Sequence, residues 1–177
     1  MQAFLFSLFL AVAPGGGAAQ QPVRTEDADS GAAFQQQLLT ALRKADRIVL
    51  TEHSDKYDSF DRVTSEANGP YHLYASHQLS AQERKHLIDA VAAVDPQAGP
   101  STLCMFLPHH AVDFYAGEQR DSRLEICFTC GEMEWDAAAN AAYPQELVGV
   151  FSRLAKQSGM KTDQNWKKKL EEVQAGQ

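Results

Sequence analysis

Apolar residues recur at helical spacing in four segments of the chain. Helices are predicted over 30–45, after the capping-box sequence Ser-Ala-Gln-Glu at 80–83, over 144–159 and, as a short charged segment, over 166–173. The apolar positions that define the first three stripes are Phe34, Leu38, Leu39 and Leu42, then Leu87, Ile88, Val91 and Val94, and finally Leu147, Val148, Phe151, Leu154 and Ala155. Each stripe lies on one side of its helix, so each helix is expected to face a core.

Strand-like segments lie between these helices and come in pairs. The β-branched run at 47–51 and the short segment 71–76 form the first pair. The segments 102–115, bent at Pro108, and 123–135 are predicted to be the two strands of an antiparallel hairpin. Because strands are not each followed by a helix, the sequence predicts an α+β fold. We expect a single domain whose antiparallel sheet has a central hairpin packed by about three helices.

The first nineteen residues are predicted to be a signal peptide. An uncharged apolar run at 3–13 is followed by small, helix-breaking residues, and eleven apolar residues are too few to span roughly 30 Å of hydrocarbon. The alternative is an N-terminal anchor that is not cleaved. The polar stretch 20–32 shows no apolar periodicity and is predicted to be a flexible linker, followed by the α+β domain at 33–160 and a charged C-terminal helix or tail at 161–177. The protein is therefore expected to be exported, periplasmic or extracellular, with no membrane association after cleavage.

The charge balance narrows the classes of partner. The 177 residues contain 16 Lys and Arg against 23 Asp and Glu, a formal net charge of -7. Nucleic acids and anionic membranes require a basic face, so neither is an expected partner. Residues 52–69 read as one long polar loop, and its acidic and aromatic side chains suit a protein partner with a basic surface. The candidate partner-binding residues are Asp55, Tyr57, Asp58, Phe60 and Asp61.

Three cysteines and two histidines lie within 27 residues on the predicted hairpin, and several interpretations remain open. In the first, the cysteines are small buried residues of the core. In the second, Cys127 and Cys130 form a disulfide, or one of them pairs with Cys104, as an exported location permits. A regular strand would place Cys104 roughly 20 Å from the other two, at about 3.3 Å per residue.

A third interpretation is a thiolate-rich zinc site formed by Cys104, His110, Cys127 and Cys130. Cys-x-x-Cys is a normal ligand spacing for zinc, although such sites usually place it on a tight turn. A thioredoxin-like redox site is disfavoured, because its Cys-x-x-Cys stands at a helix N-terminus and the pair here follows a strand pattern.

The same motifs carry a family resemblance. Cys104, Phe106, Pro108 and His110 stand at alternate positions, and an Ile-Cys-Phe-x-Cys string follows at 126–130. This signature resembles that of small exported bacterial proteins of unknown function, over roughly residues 70–135. The resemblance implies that the cysteines and His110 form one unit, and it implies no activity. Those proteins carry arginine where this chain has His109, so an anion-binding role at that position is not expected.

The favoured hypothesis is an exported, non-enzymatic protein-binding module, of which an immunity or inhibitor protein against a delivered toxin is one form. An enzyme is the less favoured class, because nucleophile elbows, phosphate-binding glycine loops and the His-Glu-x-x-His motif are absent from the sequence. No cofactor is expected under this hypothesis. The competing hypothesis is a metal- or thiol-dependent protein that uses the Cys/His cluster, with zinc as its cofactor.

Overall fold

The computed structural model describes residues 25–59, 71–99 and 103–176, with side chains from residue 31 onward. The predicted signal peptide at 1–19 and the candidate residues Phe60 and Asp61 lie outside these ranges. The helices and strands are α1 (Thr25–Lys44), β1 (Arg47–His53), β2 (Leu73–Gln78), α2 (Ala81–Ala92), β3 (His110–Ala116), β4 (Gln119–Cys127), β5 (Glu132–Trp135), α3 (Glu146–Gln157) and α4 (Trp166–Ala175). Short 3-10 turns lie at Lys56–Ser59 and Asp136–Ala138.

These strands form one antiparallel sheet in the order β2-β1-β3-β4-β5. Ile48 and Leu50 of β1 lie opposite Phe114 and Val112 of β3, and Val112 lies opposite Leu124 of β4. All five side chains share one face and are almost fully buried against the apolar stripes of α1, α2 and α3. The predicted α+β fold, with a single core between one sheet face and the helices, is confirmed.

Local signals at the ends of two helices are also confirmed. The Ser80 hydroxyl accepts from the Glu83 amide, and the Glu83 carboxylate accepts from the Ser80 amide, so the capping box that begins α2 is complete. After α3, Gly159 has a φ of 79°, the left-handed conformation in which glycine ends a helix. No helix in the described ranges combines the length and the apolar character that crossing a membrane requires.

The predicted linker at 20–32 is wrong over its second part, because α1 already begins at Thr25. A Cβ on Gly31 would lie 2.2 Å from the Pro96 carbonyl oxygen and 2.7 Å from the Ala98 amide nitrogen, so α1 passes directly against the chain that follows α2. The buried Gln35 amide also donates to the carbonyls of Val91 and Val94, at 2.7 and 2.9 Å. These contacts fix α1 through a small residue and a polar one, whereas residues 25–29, where the helix begins, show no apolar periodicity.

The predicted second hairpin strand, 123–135, is two strands rather than one. β4 ends at Cys127, the chain turns over 128–131, and β5 returns beside it with Glu132 opposite Cys127. Gly131, with a φ of 70°, allows this tight reversal. The predicted first strand, 102–115, is likewise shorter, since regular pairing begins only at His110.

The end of β1 and the C-terminal end of the domain also differ from their predicted positions, in both cases because polar residues are buried. β1 continues through Glu52 and His53, so the polar segment that follows Thr51 does not start as a loop. The segment 161–177 was predicted to be a charged helix or tail outside the domain; the helix is present as α4, and its described residues pack on the domain. Trp166 and Leu170 of α4 are buried, and the Glu52 carboxylate accepts hydrogen bonds from the Lys161 amide at 3.0 Å and from the Gln164 side chain at 3.2 Å.

We expect Gly31→Ala to destabilise the protein although alanine is the better helix former. The added methyl group meets backbone atoms that cannot rotate away, and overpacking of this kind costs about 1–3 kcal/mol. The measurement is the free energy of unfolding in urea.

Gly149→Ala in α3 is the matched control. There the nearest atom is the end of the flexible Arg153 side chain, at 3.7 Å, so helix propensity alone predicts a gain of up to about 1 kcal/mol. Equal effects at the two positions would contradict the close approach of α1 to residues 96–98.

Candidate functional site

A disulfide joins Cys104 to Cys130, with an S–S distance of 2.02 Å and a Cα–Cα distance of 5.8 Å. The candidate pairing of Cys127 with Cys130 is therefore corrected, and Cys127 is a free, buried thiol at the end of β4. The estimate of roughly 20 Å fails because residues 103–109 leave the strand direction and bring Cys104 beside the β4–β5 turn.

The four candidate zinc ligands do not form a site here. The sulfur atoms of Cys104 and Cys130 are bonded to each other and cannot serve as thiolate ligands in this state. The His110 ring packs against the rings of Phe128, at 4.7 Å, and Trp166, at 5.6 Å. Within the described ranges, no three His, Cys, Asp or Glu side chains are grouped so that they could hold a metal ion.

The candidate partner-binding loop turns much of its acidic charge inward. Asp58 accepts a hydrogen bond from His109 Nε2 at 3.0 Å, and both side chains are less than one-tenth exposed. The amide of Asp55 donates to Asp58 Oδ2, and Asp55 Oδ1 accepts from the amide of Tyr57, both at 2.8 Å. These carboxylates hold the turn at 56–59 in place, so of the three described candidate residues in the loop, Asp55, Tyr57 and Asp58, only Tyr57 is exposed.

His109 is the centre of a polar and aromatic cluster at the end of the sheet. Its ring stacks on Trp166 of α4 with a centroid distance of 4.3 Å and an angle of 5°. Trp166 also stacks on Tyr74 of β2, at 6.2 Å. The cluster therefore ties α4 and the turn at 56–59 to strands β2 and β3, and its residues come from segments that are distant in the sequence.

Two further histidines of this cluster are buried in the neutral form. Burial lowers the pKa of His53 to about 4 and that of His110 to about 3. His53 Nδ1 lies 3.0 Å from the Ser54 carbonyl oxygen, which can only accept, so Nδ1 carries the proton. His110 bonds to the backbone of Lys161. The Nε2 atoms of both histidines have no hydrogen-bond partner among the described residues.

A cleft of about 610 Å³ lies beside β5, an edge strand of the sheet. Its aromatic wall is formed by Phe34, Trp135 and Tyr143, whose ring centroids lie 5.5 Å (Phe34 to Trp135) and 5.6 Å (Phe34 to Tyr143) apart. The sequence patterns did not predict this cleft. The pattern that bears on it is the alternation of glutamate with Met133 and Trp135 over 132–135, which gives β5 one polar and one apolar face.

Carboxylates form the other wall of this cleft. The lining includes Glu125, Glu132, Glu134 and Asp136 together with one cation, Arg123. Glu125 of β4 and Glu134 of β5 are directly opposite each other, an arrangement in which like charges repel. Arg123 Nε lies 3.4 Å from the Glu125 carboxylate, whereas Glu134 is exposed and forms no ion pair with a described residue.

Arg123 is also engaged on the sheet face that the helices leave uncovered. Its Nη1 lies 3.1 and 3.2 Å from the two carboxylate oxygens of the buried Asp113, and its Nη2 donates to the Tyr71 hydroxyl at 3.4 Å. With its positive charge shared between Asp113 and Glu125, Arg123 neutralises the cleft only in part. The cleft is thus an apolar surface bordered by an excess of negative charge.

The chain matches no protein-family model, no curated protein and no solved structure. The resemblance over residues 70–135 therefore stays an expectation from its own motifs. The structure brings two of those residues together as the bridge between Cys104 and Cys130 and buries the third cysteine.

We expect the oxidised chain to contain one titratable thiol under denaturing conditions, that of Cys127. The bridge closes a loop of 26 residues, so its reduction should lower the free energy of unfolding by about 3 kcal/mol. Urea unfolding with and without reductant measures this difference, and peptide mapping identifies the paired cysteines.

Cys127→Ser is the control for this experiment. It should retain the bridge and leave no free thiol, whereas Cys130→Ser should lose the bridge and leave two thiols. A peptide that joins Cys127 to Cys130, or three thiols in the oxidised chain, would contradict the pairing.

We expect the protein to lose stability as the pH falls below 6.5. Above that pH, His53 and His110 are neutral in both the folded and the unfolded chain. Below pH 6.5, both histidines bind protons in the unfolded chain. In the folded chain they stay neutral until the pH falls to about 4 for His53 and about 3 for His110. Between pH 7 and pH 5 this difference lowers the free energy of unfolding by about 2 kcal/mol for each histidine.

His110→Phe removes one of these titrating groups and keeps a ring between Phe128 and Trp166. The loss of stability between pH 7 and pH 5 should then be about half that of the unmodified protein. The same pH dependence in both proteins would show that His110 is not the group responsible.

Proposed function

We propose that the mature chain is an exported, non-enzymatic module that binds a protein partner, and that the cleft beside β5 receives a basic segment of that partner. The observation that supports this most directly is the pairing of an aromatic wall with an excess of carboxylates in one cleft of about 610 Å³. An immunity or inhibitor protein against a delivered toxin is one concrete form of this function.

The carboxylates favour a cationic segment. Glu125 and Glu134 lie opposite each other across β4 and β5, and Glu132 and Asp136 line the same cleft. Repulsion between Glu125 and Glu134 costs free energy in the unbound protein, and a lysine or arginine of the partner would relieve it. The formal net charge of -7 would also increase the rate at which a basic partner approaches.

The apolar surfaces supply the part of the affinity that salt does not screen. Of the aromatic residues that line the cleft, Phe34 and Trp135 form its buried base at 3% exposure each, and Tyr143 is half-buried. An accessible tyrosine ring in a partly enclosed surface is typical of the energetically dominant positions of interfaces. Near the start of β5, the disulfide holds a segment in which Leu103 is fully exposed and Met105 is 65% exposed. Exposed apolar side chains anchored in this way would extend the contact surface.

Two observations support export. Disulfides persist in oxidising compartments such as the periplasm or the cell exterior, and Cys104 and Cys130 form one. The apolar run and the small residues of segment 1–19 have the composition of a signal peptide.

The test is a selection of random twelve-residue peptides, displayed on phage, against the immobilised mature protein. We expect the enriched peptides to carry several lysines or arginines beside an apolar residue, and to bind more weakly as salt is raised. Glu134→Gln should reduce the affinity of such a peptide by about fivefold, which corresponds to about 1 kcal/mol. In the unbound protein the same substitution should raise the free energy of unfolding by about 0.5 kcal/mol, because it removes the repulsion with Glu125.

Glu171→Gln in α4 is the matched control, since it makes the same charge change on an exposed residue that does not line the cleft. It should leave the affinity unchanged. Enriched peptides without an excess of cations, or equal losses of affinity in the two variants, would overturn the proposal.

A further inference from the structure

Among the residues that the structure describes, no strand pairs with the outer edge of β2. β2 is the first strand in the order β2-β1-β3-β4-β5 and pairs only with β1. At the other end of the sheet, the outward amide of Met133 in β5 donates to the Tyr143 hydroxyl at 2.9 Å, so the edge of β5 is partly covered. β2 has no such cover within the described ranges.

The register identifies the backbone groups that face outward. The Leu79 amide donates to the Ile48 carbonyl at 3.0 Å, and the register continues with Gln78 opposite Val49 and His77 opposite Leu50. Hydrogen-bonded and non-hydrogen-bonded pairs alternate in an antiparallel ladder, so His77 points its backbone groups towards β1. The amide and carbonyl groups of Ser76 and Gln78 therefore point away from the sheet, and no backbone hydrogen bond from another described segment reaches them.

The strand also lacks the features that usually protect an edge. The residues Leu73–Gln78 include no charged residue and no proline. Leu73 is 55% exposed, and the preceding Tyr71 is 58% exposed. Six residues span about 20 Å, which is enough for an added strand of similar length.

Positive charge lies beside the start of this strand. Lys169 of α4 places its Nζ 5.6 Å from the ring centroid of Tyr74 in β2. Lys169 forms no ion pair with a described residue. The nearby carboxylate of Asp58 is engaged by His109, and Glu83, at the other end of the strand, is engaged by His77 at 2.9 Å.

We propose that the edge of β2 binds an extended acidic segment of a partner protein, which adds to the sheet as a sixth strand. The backbone groups of Ser76 and Gln78 would provide the hydrogen bonds, and Lys169 would select for carboxylates. A second copy of this chain is the alternative occupant, and repulsion between two chains of net charge -7 disfavours it. This surface is independent of the cleft beside β5.

The experiment uses the full mature protein and three labelled octapeptides at low salt. The first alternates glutamate with valine, the second alternates lysine with valine, and the third is the glutamate peptide with N-methylated amides along one edge. We expect the glutamate peptide to bind at least tenfold more tightly than the lysine peptide, and N-methylation to weaken it at least tenfold. In amide spectra, the largest shifts should lie in residues 73–78.

Lys169→Glu should remove most of the preference for the glutamate peptide, whereas Lys156→Glu, the same change on exposed α3, should not. Glu134→Gln should leave this binding unchanged, which separates it from binding in the cleft. The proposal is overturned if the glutamate peptide does not bind, if N-methylation has no effect, or if the lysine peptide binds equally well. It is also overturned if the protein sediments as a dimer that Ser76→Lys dissociates, since the edge then binds a second copy.

Discussion

Alternate residues of β1, from Ile48 through Leu50 to Glu52, face the helices, and pairing with β2 on one side and β3 on the other fixes that register. A shift by one residue would move the apolar set to the uncovered face and separate it from α1, α2 and α3. The same alternation carries Glu52 and His110 onto the core face at the end of the sheet. The alternation therefore buries polar groups at this end of the sheet, and these groups require hydrogen-bond partners.

The last helix and the turn at 56–59 provide those partners. Glu52 accepts from Lys161 and Gln164, and His109 bonds to Asp58 while its ring stacks on Trp166. Buried polar groups are tolerated when their hydrogen bonds are satisfied, so this end of the core is closed by specific contacts rather than by apolar volume. These contacts explain why α4 belongs to the domain despite its charged sequence, and why the loop's acidic residues turn inward.

Sequence patterns predicted the features that depend on neighbouring residues. The fold class followed from the order of the periodic segments. The capping box at Ser80 and Glu83 could be identified from the sequence because its partners are three residues apart. The bond between Asp58 and His109 joins residues 51 positions apart, and no local pattern reports it. The bridge from Cys104 to Cys130 was one of the predicted alternatives, but sequence patterns could not favour it over Cys127–Cys130, since the position of Cys104 depends on an irregular segment that strand geometry does not describe. The start of α1 was missed because residues 25–29 are polar apart from one alanine and show no apolar periodicity.

The two edges of the sheet carry different local charges, which the net charge of the whole chain does not report. At the β5 edge, Glu125, Glu132, Glu134 and Asp136 gather around one shared arginine. At the β2 edge, Lys169 lies beside the ring of Tyr74 and the outward backbone groups of the strand. Electrostatic attraction orients an approaching molecule according to the nearest charges, because charges beyond about 8–10 Å are screened at physiological salt. Under the two proposals, a basic segment would therefore bind at one edge and an acidic segment at the other, although the chain as a whole is acidic.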